Sequence, residues 1–246
     1  MTNRFLERQV SLVEYMTSGA AIFGDSRGLS LAPAIEGIDR RLLQLEAHFS
    51  YAKRRDKIMT VFPMTFRLLG RSEAEIVRDF VECCPPASIN RLENARQFHQ
   101  FLSSRWTLEP PNPPYAPDVA ACELACAEVD ADVEDRNWQL ARNEPDQRNS
   151  GIRRCRAVVL LRCVYDIRPI FETGLEHAVP TKRETRLVVA LPPGANGPLV
   201  SEVMPAVFDL LAALDDWANT PEPDVDPDFA KLLAELTARG MVEARR

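Results

Sequence analysis

The sequence predicts an α+β protein: a mainly helical N-terminal domain over residues 1–142, then a small domain with an antiparallel sheet over residues 150–246. Three observations carry this. Apolar residues recur at three- and four-residue steps from Phe5 to Val133. A polar, breaker-rich stretch from Asn143 to Gly151 interrupts that pattern and reads as a linker. Beyond it stand two β-branched runs, Ala157–Tyr165 and Arg186–Leu191, read as antiparallel strands with Pro169 to Pro180 between them. The 246 residues, 46% of them hydrophobic, hold enough apolar surface for one large or two modest domains, which excludes disorder for most of the chain.

Each element follows from its own residues. Phe5, Leu6, Val10, Leu12, Val13 and Met16 make a short amphipathic opening helix over residues 3–17, before Gly19. From Ile38, the positions Leu42, Leu45, Phe49, Ala52, Ile58 and Phe62 predict a long helix, and Arg40, Arg41, Lys53, Arg54, Arg55 and Lys57 give it a basic face. Pro63 must kink or restart it, since proline lacks the amide donor and clashes with the preceding turn. Gly70 ends that segment. Ser72-Glu73-Ala74-Glu75 matches a capping box for a helix reaching about Cys83, ahead of Pro85-Pro86. Leu92 to Arg105 predicts the next helix, followed by a proline-rich run from Pro110 to Pro117. Val119, Cys122, Cys126, Val129 and Val133 place both cysteines on the buried stripe of a further helix. After the strands, Val203–Trp217 returns to helix, Asp226 and Pro227 open a last one carrying Leu232, Leu233 and Leu236, and Gly240 stops it before a final strand at 241–244. Two strands, two helices and a terminal strand resemble a small winged-helix arrangement, a fold that serves several functions.

The chemistry is sparse. No Gly-rich phosphate loop, G-x-S-x-G elbow or H-E-x-x-H helix is present, so the chain reads as a non-enzyme without a cofactor of its own. The six cysteines show no CxxC spacing, and His48, His99 and His177 are isolated from one another, which argues against an intrinsic metal site. Gly24-Asp25-Ser26-Arg27-Gly28 reads as a turn. The absence of a long apolar run and of a signal-peptide pattern predicts a soluble cytoplasmic protein. A net charge of −6 argues against a generic nucleic-acid binder. That charge is uneven. Between Asn149 and Arg186 stand Arg153, Arg154, Arg156, Arg162, Arg168, Lys182, Arg183 and Arg186 against Asp166, Glu172, Glu176 and Glu184, while Asp215 to Asp228 holds only acidic charges. Arginines beside a strand edge suit capture of an extended peptide by β-augmentation.

One further pattern runs through the first domain. Tyr51-Ala52-Lys53-Arg54-Arg55, then Val61-Phe62-Pro63-Met64-Thr65-Phe66-Arg67-Leu68-Leu69-Gly70, Phe80, Pro85-Pro86, Phe98, Phe101-Leu102 and Ala120-Ala121-Cys122-Glu123-Leu124-Ala125 fall in one order. Over roughly residues 45–130 this resembles the N-terminal domain, labelled DNA-binding, of proteins encoded beside multinuclear non-haem iron-dependent oxidative enzymes. The resemblance implies a partner subunit in a heterodimer with a TIM-barrel iron enzyme that modifies cysteine in a ribosomally synthesised precursor peptide. It implies leader-peptide capture in pathways such as 3-thiaglutamate formation, copper-binding bufferins or, more distantly, methanobactin, with the iron held by the enzyme. The peptide is then expected along Val158, Leu160, Arg162 and Val164, or along Arg186, Leu187 and Val189, with Arg168 and Arg183 beside them, since alternate strand residues share a face. The enzyme interface is expected at Tyr51, Arg54, Arg55, Phe62, Arg67 and His177. The competing expectation is a DNA-binding regulator using the basic helix 40–57.

Overall fold

The computed structural model describes residues 2–24, 31–140, 151–218 and 227–245. They form an α+β protein whose compact units are Met1–Pro110 and Pro111–Arg246. The units divide at Pro110–Pro111, ahead of the expected linker, and 141–150 lie outside the described residues together with the 25–28 part of the predicted turn and the Asp226 cap.

In the first unit, α1 (Thr2–Thr17) and α2 (Gly19–Phe23) lead through a short 3-10 turn at Pro33–Ile35 into α3 (Arg40–Val61). Asp39 caps α3 by accepting from the Arg41 amide at 2.8 Å. Pro63 restarts the helix as α4 (Pro63–Leu69), standing at its first position, where a missing amide costs nothing. The expected capping box does not form. Ser72 has helical torsions (φ −82°, ψ −6°) in a 3-10 turn that runs straight into α5 (Glu73–Cys83), and its hydroxyl caps nothing. The glutamates are drawn to arginines on other helices: Glu73 accepts from Arg55 at 2.5 Å and Glu75 from Arg105 at 3.2 Å. Asn90 caps α6 (Arg91–Leu108), accepting from the Leu92 amide at 2.8 Å.

Aromatic rings fill this unit's core. Phe98 is fully buried, with ring centroids of Phe62 and Phe66 each 5.6 Å away and that of Phe80 at 5.1 Å. Such tilted and edge-on pairs each contribute about 0.5–1.5 kcal/mol beyond their area burial.

The second unit begins with α7 (Ala116–Leu140), in which Val119, Cys122 and Val129 of the predicted stripe are buried and Cys126 is half-buried, while the Val133 side chain lies outside the described residues. Its strands are β1 (Gly151–Arg154), β2 (Val158–Asp166), β3 (Thr181–Ala190), β4 (Leu199–Glu202) and β5 (Val242–Arg245). The helices α8 (Arg168–Thr173), α9 (Pro205–Ala213) and α10 (Pro227–Ala238) lie between them. Strands β2, β3 and β4 form one antiparallel sheet in that order, and β1 pairs with β5 in another. Val158, Val188 and Ala190 face Leu211 and Leu214 of the α9 region and Leu233 and Leu236 of α10. Helix α7 packs on β2 and β3. Sequence reading missed β1, β4 and α8, which are too short to show a period, and the first half of β3, whose Thr-Lys-Arg-Glu-Thr run is polar on both faces. Helix α9 stops at Ala213, short of the expected Trp217.

Candidate functional site

The sheet order decides which strand has an open edge. β3 lies between β2 and β4: Leu187 pairs with both Leu161 and Glu202, and Val189 with both Val159 and Val200. Leu187 and Val189 are fully buried, and Arg186 Nε is buried without a hydrogen-bond partner in the described residues. The alternative edge at Arg186, Leu187 and Val189 is therefore overturned, because both of its sides are occupied. β2 is an outer strand, with β3 on one side and no strand on the other among the described residues.

The four expected β2 positions separate into two halves. Val158 and Leu160 turn into the core, whereas Arg162 and Val164 are exposed. The β2–β3 register changes near Cys163 to Tyr165, and a shallow groove of about 500 Å3 is lined there by Arg162, Cys163, Val164, Lys182, Arg183 and Glu184. Arg162 lies over the Phe208 ring at 5.3 Å and only 3.7 Å from Asp209, while the exposed Lys182 has no ion-pair partner among the described residues. Asp118 of α7 closes the far end of the edge, accepting from the Tyr165 amide at 2.8 Å. Burial raises its carboxyl above the usual range, against the lowering by that hydrogen bond and one from Val164.

The arginines Arg168 and Arg183 are already engaged. Arg168 bonds Asp166 and Glu202 at 2.7 Å each, and Arg183 bonds the same two carboxylates at 2.6 Å each, tying β2, β3 and β4 together. Elsewhere Arg153 pairs with Glu243 and Arg154 with Asp215. Much of the basic strand region is thus neutralised by acids from other elements, and the cations left at the groove are Lys182 and Arg162, the latter exposed but shared with Asp209 at 3.7 Å. Hydrogen bonds from Arg168 and Arg183 hold the Asp166 carboxyl well below its ordinary 3.8, and Arg183 lowers Glu202. A carboxylate with a depressed folded-state pKa adds stability above its unfolded pKa and loses it as pH falls through the folded value. Asp166→Asn should therefore lower the urea midpoint at pH 7 and converge with wild type as pH drops below 3.8, the direction set by the depressed pKa of Asp166. Urea titrations from pH 7 to pH 2, followed by circular dichroism, check this.

The residues expected at an enzyme interface do not share one environment. Phe62 is fully buried, and Arg54 is nearly so. Arg54 donates to Asn94 at 3.1 Å and Gln97 at 2.8 Å and stacks over the Phe80 ring at 4.3 Å, and burial pulls its pKa down to about 10. Both are core residues and are withdrawn as contacts. Their three- and four-residue spacing with Ile58 and Val61 turns them inward. Tyr51 is half-buried, its ring 5.1 Å from that of Phe23, and burial raises its hydroxyl pKa. Arg55 is half-buried on Glu73, whereas Arg67 is exposed, as is His177 in the second unit. The same geometry thins the basic face of α3. Arg54 is inside, Arg55 is on Glu73 and Lys57 bonds the Ile89 carbonyl at 2.5 Å, which leaves Arg40, Arg41 and Lys53 outward for phosphate contacts.

The thiols have distinct surroundings. Burial pushes the Cys163 thiol up to about 12, and Cys122 is raised by its hydrogen bond to Cys126 and by burial. Cys83 is exposed. Because the thiolate is the reactive form, native alkylation by iodoacetamide should label Cys83 first and leave Cys122 and Cys163 until denaturation, as peptide mass mapping would show.

Asp118, Asp166, Lys182 and Glu202 complete the site's electrostatics; Lys182 and Asp166 entered sequence reading only through the local charge count, and Asp118 and Glu202 escaped it. Among the described residues no cluster of three or more His, Cys, Asp or Glu side chains is placed to hold a metal ion, and no helix is long and apolar enough to cross a membrane. Fold and site define an α+β protein with a groove beside an open, cation-flanked sheet edge. No model of a known protein family matches the chain, and no curated protein matches it.

Proposed function

We propose that this chain is a non-catalytic partner subunit that captures the leader of a ribosomally synthesised precursor peptide and presents its cysteine to a multinuclear iron oxidative enzyme of the TIM-barrel type. The observation that carries the reading is the outer position of β2 beside the groove at Arg162–Val164 and Lys182–Glu184. An added strand would pair for affinity with the outer backbone groups of β2 ahead of Val164 and Tyr165, whose amides Asp118 holds, and would meet Arg162 and Lys182 for acidic side chains. The second unit serves in this reading as the winged-helix-like recognition module, working in the cytoplasm, and the iron belongs to the enzyme. Residues 45–130 support the partner assignment through their resemblance to subunits encoded beside such enzymes, and of the expected interface only Tyr51, Arg55, Arg67 and His177 are left for the enzyme.

The test reads the genes beside this one for a barrel-type iron enzyme and a short cysteine-containing peptide, and coexpresses both with the full chain; their absence would count against the reading. A stable complex is expected. Peptide binding measured by fluorescence anisotropy should weaken at least ~10-fold in Arg162→Glu/Lys182→Glu, with an unchanged circular dichroism spectrum checking that the loss of the Asp209 pair leaves the fold intact. Absence of amide shift changes along residues 158–166 at saturating labelled peptide would remove β2 as the binding edge.

A further inference from the structure

The first unit exposes a second apolar surface that its own core does not use. On α3, Leu43, Ala47, Arg54 and Ile58 face inward, while Leu42, Leu45 and Phe49 form a row on the opposite side of the helix. On the neighbouring α1, Leu6, Val10 and Val13 make a similar row away from the half-buried Leu12 and Met16. These six side chains are between 47% and 59% exposed. Scattered exposed leucines are ordinary, but an exposed apolar row on each of two helices in contact is a concentration of apolar surface that marks a candidate contact site.

We propose that this surface is a two-fold interface with a second copy of the chain. Area is the first argument. The six side chains expose on the order of 500 Å2, close to the apolar two-thirds of the roughly 800 Å2 that each partner contributes to a standard interface. Spacing is the second. Leu42, Leu45, Phe49 and the exposed Ala52 step by three, four and three residues, the seam that receives another helix carrying the same step, and a second copy carries it by construction. Charge is the third. Arg41 and Glu46 flank the seam on opposite sides, and neither has an ion-pair partner among the described residues. Residues in those positions pair between parallel helices of a two-stranded seam, so Arg41 of one copy meets Glu46 of the other. The interface is separate from the β2 groove, and its failure leaves peptide capture untouched.

Sedimentation velocity of the full chain between 1 and 100 µM tests it. Wild type should form a dimer. Leu45→Glu puts a charge into the seam and should raise the dissociation constant at least ~100-fold with an unchanged circular dichroism spectrum. Arg41→Glu and Glu46→Arg should each weaken the dimer about 5-fold, and the double swap should restore it, which a merely sticky surface would not do. A wild-type chain that stays monomeric at 100 µM, or a dimer indifferent to Leu45→Glu and to the charge swap, overturns the proposal.

Discussion

Phe98→Ala is expected to destabilise the first unit by about 3–5 kcal/mol, the range for removing a buried aromatic ring. The ring is fully enclosed and touches those of Phe62 at the α3–α4 junction, Phe66 of α4 and Phe80 of α5, so no single neighbour can collapse into the space left behind. Loss at this level is comparable to the whole stability of a small domain. Phe101→Ala is the matched control. Its ring lies 5.6 Å from Phe80 but is only half-buried, and its removal should cost about 1–2 kcal/mol. Urea titrations of both variants followed by far-UV circular dichroism, in which most of the helical signal belongs to the first unit and α7, give the comparison directly.

Gly240→Ala should cost the second unit about 3 kcal/mol or more. Gly240 ends α10 at φ +71°, donating to the Thr237 carbonyl at 3.0 Å while Met241 reaches back to Leu236 at 2.9 Å. A side chain there incurs the left-handed penalty of about 1–2 kcal/mol. It also meets the backbone. An added Cβ would lie 2.6 Å from the Leu191 carbonyl oxygen and 3.3 Å from Pro192 Cα, so the exit of β3 or the start of β5 must shift, and Met241 and Val242 would leave their buried positions. Gly70 separates the two effects, because it has φ +54° with nothing within 4 Å of an added Cβ. Gly70→Ala should cost only the conformational part, about 1–3 kcal/mol at its φ of +54° and ψ of −121°. Thermal midpoints of the two variants measure the difference. Equal losses would show that the approach of residues 191–192 carries no energy.

Both glycines were legible as stops from their place at the end of an apolar period, whereas the cost of changing them was not. The same division runs through the elements. The extent of α3, the restart at Pro63, the cysteine stripe of α7 and the main part of β2 depend on residues a few positions apart, and the structure follows them, but the apolar face read for α3 is overturned, since Leu42, Leu45 and Phe49 turn outward and Leu43, Ala47 and Val61 turn in. The Ser72 box failed because a local motif competed with tertiary partners: Arg55 and Arg105 hold the glutamates of that turn. Arg54 and Phe62 were placed at the enzyme interface through the resemblance over residues 45–130, although Phe62 also stood in the apolar row read from Ile38. Their helical phase, shared with Ile58 and Val61, was the signal that pointed inward.

The sequence by itself determined the α+β class, the order of the principal helices and strands and the positions of their breaks, since apolar period, proline and glycine act on the backbone within a turn or a strand. Tertiary structure alone decided that β2 is outer and β3 central, that α7 belongs with the sheet, and that most arginines of the strands are neutralised inside the fold. Those outcomes rest on contacts such as Arg183 with Glu202, 19 residues apart, and Arg153 with Glu243, 90 apart. Strand order and charge pairing are properties of which surfaces meet, and neither a period nor a local charge count carries that information.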